Sequence, residues 1–406
     1  MSQSSTYAMT VFMNAKELSL NIKRDMIQVN QLNKFNISAL LPMTSTEFLL
    51  KYSHWEYIIN ELSNIFSNLI ILADSPVTIN NNNITIKTIK LPVKIRESRF
   101  MRYLYVFLYT LWGILNINKY TLIIALSGGP AAISSLILKI LTKKPIITIV
   151  RTDFTEYRTY PGLSHIERLF YLLHEILMRK LIMKSNKVIA IYEHLYLLIR
   201  SLGISNRKCK LIYLPADRSF FKCQHKNNND FIVGFVGRFS YENGSDLFIK
   251  VAECVYHYDP SIRFLYVGDM PQNMPHLPNV ITTGFIEHNK VPSYLSQMDV
   301  FLSLKRSKGI PVAVIEALAC GVPVIGINIT DQILSGVIIK INNYNDEKET
   351  ILRVCQQLLK LKNEKEKLKQ LSYNIKNIAQ TYFSMQKFIN DFKSVISDII
   401  TEELKK

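Results

Sequence analysis

Residues 299–328 read DVFLSLKRSKGIPVAVIEALACGVPVIGIN, and this stretch decides the fold. Asp299–Leu304 is an apolar run of strand length, and Lys305–Ile310 is a polar loop containing Gly309. Pro311 stands where a first helical residue is expected, since its missing N–H would have no partner there anyway. The helix is Val312–Cys320. Gly321 supplies a left-handed cap, and Pro323 prevents continuation before the strand Val324–Ile327. Strand, loop, helix and strand in that order make one unit of a parallel sheet.

The polar groups of this unit set its chemistry. Unpaired N–H groups in the loop and the first helical turn favour an anion such as phosphate, and Gly309 lets a ligand approach the backbone closely. Glu316 is the only acidic residue between Asp299 and Asp331 and lies on an otherwise apolar helix, so its carboxylate needs partners once buried. It either accepts hydrogen bonds from a ligand's hydroxyl pair or pairs with a neighbouring Lys or Arg, if it does not lie on an exposed edge.

The run from Lys308 to Gly326 resembles the donor-site signature of retaining nucleotide-sugar glycosyltransferases of the GT-B fold, group 1 or family 4-like. Gly309, Pro311, Glu316, Ala317, Ala319, Gly321 and Pro323 fit the signature, while Lys308 replaces the first Glu of its Glu-x7-Glu pattern. The resemblance implies that Glu316 holds the nucleotide ribose and that Gly309, Ile310 and Pro311 belong to the donor site. Upstream, Gly237-Arg238 after the strand Phe231–Val236 resembles the family's "V-G-R" segment, which assigns Arg238 to the donor diphosphate. Gly244 and Asp246 fit its "K-G-x-D", with Asn243 in place of the lysine. Gly284-Phe285 resembles the segment that borders the nucleobase. Lys308 is expected to supply the cation missing at Asn243, with Lys305 and Arg306 in the same loop as substitutes. Beyond Asn328 the family's glycine pair is absent, and Ile329-Thr330-Asp331-Gln332 stands there instead.

The first half alternates apolar runs with helical patterns. The strand Pro145–Val150 delivers Arg151-Thr152-Asp153 at its carboxyl end, where open parallel sheets bind ligands. Asp153 is the candidate for orienting or deprotonating an acceptor hydroxyl; a helix cap or an ion pair with Arg151 is the competing role. The expected catalytic set is therefore Asp153, Arg238 and Lys308. The helix Ser164–Met183 mixes bulky apolar residues with Arg168, Arg179 and Lys180, and Lys184 follows it. It is either half buried with a solvated basic edge or lies on an anionic membrane.

Composition bounds these readings. A chain of 406 residues with 48% hydrophobic and 20% charged residues is globular and suits two domains. The net charge of +17 points to an anionic partner, whether nucleotide, phospholipid, lipid-linked phosphate or nucleic acid, unless coding composition alone set it. Five scattered cysteines suggest a reducing compartment with neither disulfides nor zinc. Tyr103–Ile117 is too short to span a bilayer and is expected to be a buried helix. Met1–Phe35 lacks the apolar core of a signal peptide.

The expectation is an α/β chain of two Rossmann-like domains facing across a cleft. Residues 1–35 are an appendage, 36–224 the acceptor domain, 225–382 the donor domain and 383–406 a helix returning to the first domain. The expected activity moves a hexose from UDP- or GDP-hexose to a hydroxyl of a glycan or lipid-linked acceptor with retention, without metal or other cofactor. The expected place is the cytoplasm, with the inner face of a membrane open as a docking surface. The runner-up is a catalytically impaired homologue that binds nucleotide or a partner, favoured by Lys308, Asn243 and the absent glycine pair. Specific nucleic-acid binding rests on charge alone and is not expected.

Overall fold

The computed structural model describes residues 37–43, 55–92, 103–156, 162–224, 230–271, 276–341 and 346–404. The appendage expected at 1–35 and nearly all of the linker at 225–230 lie outside them. The first lobe runs β1 Ser38–Pro42, α1 Trp55–Ser63, β2 Asn68–Ala73, β3 Ile84–Thr88, α2 Leu104–Leu115, β4 Leu122–Leu126, α3 Pro130–Thr142, β5 Ile146–Val150, α4 His165–Lys184, β6 Lys187–Ala190, α5 Glu193–Ser201 and β7 Cys209–Leu211. Its seven strands are all parallel, in the order β3-β2-β1-β4-β5-β6-β7. The central strands β4 and β5 are apolar at every position except Thr148 and fully buried, as a strand covered on both faces must be.

The second lobe runs β8 Ile232–Val236, α6 Ser245–Tyr258, β9 Arg263–Val267, β10 Val280–Thr282, α7 Val291–Leu295, β11 Val300–Ser303, α8 Val312–Cys320, β12 Val324–Gly326, β13 Ile338–Lys340, α9 Glu347–Lys362, α10 Lys365–Tyr382 and α11 Met385–Leu404. Its six parallel strands are ordered β10-β9-β8-β11-β12-β13. The chain leaves β8 toward one edge and β11 toward the other, so a crevice opens between their carboxyl ends. Helix α8 spans the residues expected of it, and Gly321 caps it at φ 76°. A Cβ at position 321 would also lie 2.5 Å from the Lys376 side chain, whose flexible end would have to shift.

Several expectations needed correction. The lysine-rich spacing from Glu347 to Ala379 is consistent with a single helix, but the structure has two, because the chain turns at Asn363-Glu364 where Lys362 is tied to Asp259 and Ser261. Glu193 and His194 open α5. Helix α2 is only half buried: Leu104, Phe107, Leu111, Ile114 and Leu115 are exposed. Cys223 and Cys320 form a disulfide although they lie 97 positions apart, because folding places Cys223, just after the first sheet, against the end of α8. Helix α11 reaches back to the first lobe, where the buried Lys187 ammonium lies 2.7 Å from Glu402 and 3.5 Å from Asp398.

Candidate active site

A cavity of about 590 Å³ opens at the β8/β11 crevice. Of the expected donor residues, Gly237, Arg238, Asn243, Phe285 and Pro311 line it. Gly237 follows β8 with φ 154°, and its carbonyl lies where a Cβ at Gly268 would come within 2.1 Å. Those two turns therefore approach as closely as backbone allows. Arg238 is exposed at the cavity rim, and its carbonyl accepts hydrogen bonds from the Asn243 side chain at 3.2 Å and from Ser245 Oγ at 3.2 Å. Asn243, standing where a lysine was expected, thus braces the Arg238 loop. Gly284 takes φ 69°, and the next amide, of Phe285, donates to Asp269 Oδ1 at 2.8 Å, leaving the Phe285 ring exposed at the cavity.

The loop Lys305–Ile310 divides its cations. Arg306 makes two 2.7 Å bonds to Asp246 and stacks on Tyr241, so it fastens the loop to α6. Lys308 is exposed and does not line the cavity, whereas Lys305 does. Burial holds the Lys305 ammonium below its ordinary value against the opposing pull of Glu242 and Glu156. Asn328, in the left-handed region at φ 58°, pins this loop by donating to the carbonyls of Lys305 and Arg306. Lys305, expected only as a substitute for Lys308, is the loop cation that lines the cavity, and Ser303 and Asp269 were not singled out from the sequence. The Ser303 hydroxyl is buried at the cavity wall and has no hydrogen-bond partner among the described residues.

Gly309 and Ile310 are buried beside the first lobe. At φ 115°, a Cβ on Gly309 would come within 2.6 Å of the Tyr192 ring. Glu316 is 4% exposed, and its Oε1 lies 2.6 Å from His288 Nε2. Its partner is thus a histidine, a pairing absent from the sequence reading because 28 positions separate the two. Burial alone would lower the His288 pKa, but the Glu316 hydrogen bond and charge, with Asp217 behind, outweigh burial and raise it.

Across the cleft, Asp153 is 9% exposed and its carboxylate is saturated. Oδ2 meets His194 Nε2 at 2.7 Å, while Oδ1 accepts from the Thr155 amide at 2.9 Å and hydroxyl at 2.5 Å. Burial pushes this carboxyl up, yet the donors from His194 and Thr155 prevail and keep it below the usual range. Burial and the Asp153 charge raise the neighbouring Glu156, which in turn feels the fields of Lys305 and Lys308 from the second lobe. Asp153, Glu156 and His194 bring three potential ligand atoms within 4.8 Å of one another, a set suited to a divalent cation that the sequence reading did not anticipate. In place of the missing glycine pair, Asp331 Oδ1 accepts from the Glu193 amide at 2.7 Å and Glu193 Oε2 accepts from the Gln332 amide at 2.7 Å. That segment clasps the two lobes together.

Residues 230–357 match the sequence model of the glycosyl transferases group 1 family. A 2-deoxystreptamine N-acetyl-D-glucosaminyltransferase of Streptomyces fradiae is 32% identical over 109 residues, 23% of this chain and 25% of that protein. The capsular polysaccharide biosynthesis glycosyltransferase CapM of Staphylococcus aureus is 24% identical over 189 residues, 43% and 48% of the two chains. The chain thus spans a quarter to a half of the length of these relatives. Among solved structures, sucrose-phosphate synthase of Thermosynechococcus elongatus superposes with a TM-score of 0.69 at 14% identity, over 90% of this chain and 100% of that one. Anabaena Alr3699/HepE in complex with UDP-glucose gives 0.65 at 14% identity, over 89% and 99%. These likenesses establish the GT-B fold.

Proposed function

From the premise of a GT-B chain whose second lobe carries a glycosyl transferases group 1 domain, we propose that this protein transfers a hexose from a nucleotide diphosphate sugar to an acceptor hydroxyl on a glycan or lipid-linked molecule, retaining the anomeric configuration. The observation that carries the reading is the cavity at the β8/β11 crevice, which gathers Arg238, Lys305, Phe285 and the start of α8 around one space. The structural neighbour that binds UDP-glucose and the polysaccharide enzymes among the relatives support a sugar nucleotide and a glycan acceptor. Retention rests on the match of Gly309, Pro311 and Glu316 to the retaining signature.

In this reading the nucleobase lies against the Phe285 ring, and the ribose hydroxyls take Glu316 over from His288. The diphosphate faces Arg238, Lys305 and the first amides of α8. As the bond from the anomeric carbon to the phosphate oxygen breaks, charge grows on the β-phosphate, and fixed cations stabilise it without reorganising. The acceptor hydroxyl approaches from the first lobe, with its proton directed to His194, which Asp153 orients. The reading needs no metal, since protein cations meet the diphosphate. Turnover abolished by EDTA would reassign Asp153, Glu156 and His194 to an ion.

Thermal stabilisation across UDP- and GDP-hexoses, each compared with its bare diphosphate, tests the proposal. The matching sugar nucleotide should raise the melting temperature beyond its diphosphate and be consumed when acceptor is added. Equal shifts for sugar nucleotide and diphosphate, with neither hydrolysis nor transfer, would leave a nucleotide-binding protein in place of the enzyme.

A further inference from the structure

Helices α2, α3 and α4 lie side by side on one face of the first sheet, and their outward surface is apolar. Of the twenty-one large apolar side chains exposed among the described residues, five are on α2, two on α3 and six on α4. On α4 they are Ile166, Leu169, Leu172, Leu173, Ile176 and Met183, while His174 and Glu175 on its opposite side are buried. The first half of the helix thus departs from an ordinary surface helix, which keeps its apolar stripe inside, while Met178, Leu181 and Ile182 are buried in its second half. Tyr103, beside α2, packs edge-on against Phe170 of α4 with ring centroids 4.9 Å apart, so the two apolar faces adjoin. An exposed patch of this extent marks an interaction surface.

The charges around it select the partner. Residues 98–152, which contain α2, α3, β4 and β5, hold seven Lys and Arg and no Asp or Glu. Both acids of α4 are committed: Glu167 to the capping box with Ser164, and Glu175, buried, to Arg179 at 2.7 Å. Lys143, Lys180 and Lys184 are exposed at the border of the patch. A helix with bulky apolar residues on its open face, cations at its end and no available acid fits the interface of an anionic bilayer, where the side chains enter the acyl boundary and the ammonium groups meet phosphates. Among the described residues no helix is long and apolar enough to cross a membrane, so the contact lies along the surface.

We propose that the α2–α4 face docks this chain on an anionic lipid surface. Helix α4 runs between the parallel strands β5 and β6 and so begins at the carboxyl edge of the sheet, where β5 delivers Asp153, and docking therefore brings the acceptor side of the cleft to the lipid. In the transfer reading above, on which this last clause alone rests, that favours a lipid-linked acceptor.

Co-sedimentation of the full chain with vesicles of phosphatidylcholine, with and without phosphatidylglycerol, tests the docking, and no sugar nucleotide is needed. Binding is expected only with phosphatidylglycerol and should fall at high salt. The exposed triple variant Leu169→Gln/Leu173→Gln/Ile176→Gln and the charge variant Lys180→Glu/Lys184→Glu should each bind at least about tenfold more weakly. Both should keep the wild-type melting temperature and its shift with nucleotide. Wild-type chain that stays in the supernatant with anionic vesicles overturns the inference. So does a dimer, seen by sedimentation equilibrium, that the α4 triple variant dissolves. Loss of the nucleotide shift would instead count against the transferase reading.

Discussion

At the scale of single residues, the Glu316–His288 contact carries a pH dependence of known sign. The partner raises the His288 pKa above the unfolded value of about 6.5, so the bond stabilises the fold fully below that value and its contribution is lost as pH climbs through the raised one. The stability difference between wild type and His288→Ala should be about 1–2 kcal/mol near pH 6 and shrink toward pH 8.5, as urea unfolding at several pH values would record. A difference that grew with pH would contradict the assignment. The two loop lysines make a second contrast: Lys305→Gln should lower kcat about 10²–10³-fold as a lost cation at the leaving group, and Lys308→Gln much less, because Lys308 stands outside the cavity. Comparable losses would restore Lys308 to the role the sequence suggested. Arg238, which lines the cavity, was legible because it sits at a fixed offset in a local motif; Glu316 was singled out the same way but pairs with His288 and is not in the cavity lining. His288 and His194 were not legible, since nothing in their neighbours distinguishes them from ordinary surface residues, and Lys305 was named only as a substitute because spacing does not say which loop cation turns inward.

At the scale of elements, the glycines separate geometry from chemistry. Gly244 begins α6 at φ 72°, and a Cβ there would lie 1.9 Å from the Leu304 carbonyl oxygen. Gly203 has φ 81° with nothing within 4 Å. Gly203→Ala should therefore cost only the left-handed strain, about 1 kcal/mol, whereas Gly244→Ala must also push β11 away and cost several times more. Denaturant midpoints for the two variants would decide this; equal costs would mean that the Leu304 backbone yields freely. The same contact explains a motif glycine without reference to ligand. Element identity was largely legible, because strands buried on both faces read as continuous apolar runs and α8 carries both its stop signals. The turn at Asn363 was hidden, since lysine-rich helical spacing continues on both sides of it and the tie that bends the chain comes from Asp259.

At the scale of the whole molecule, the lobes are held by contacts between distant segments: the Cys223–Cys320 bond, Tyr192 against Gly309, and the reciprocal bonds of Glu193 with Asp331 and Gln332. Asp331→Ala should lower kcat/KM about tenfold by loosening the cleft while shifting the melting temperature little, and X-ray scattering should register a larger radius of gyration. An unchanged radius with unchanged turnover would reduce the clasp to a surface contact. By itself the sequence determined the two parallel sheets, the α8 unit and the Arg238 and Glu316 positions, because apolar runs, glycine caps and proline stops act within a few residues. Only the tertiary structure decided which cation enters the cavity, that Glu316 meets His288, that Asp153 is saturated by His194 and Thr155, and that α2 and α4 turn apolar faces outward. Those outcomes depend on which side chains the sheet order brings together and on which faces find no neighbour, and neither is encoded in local spacing.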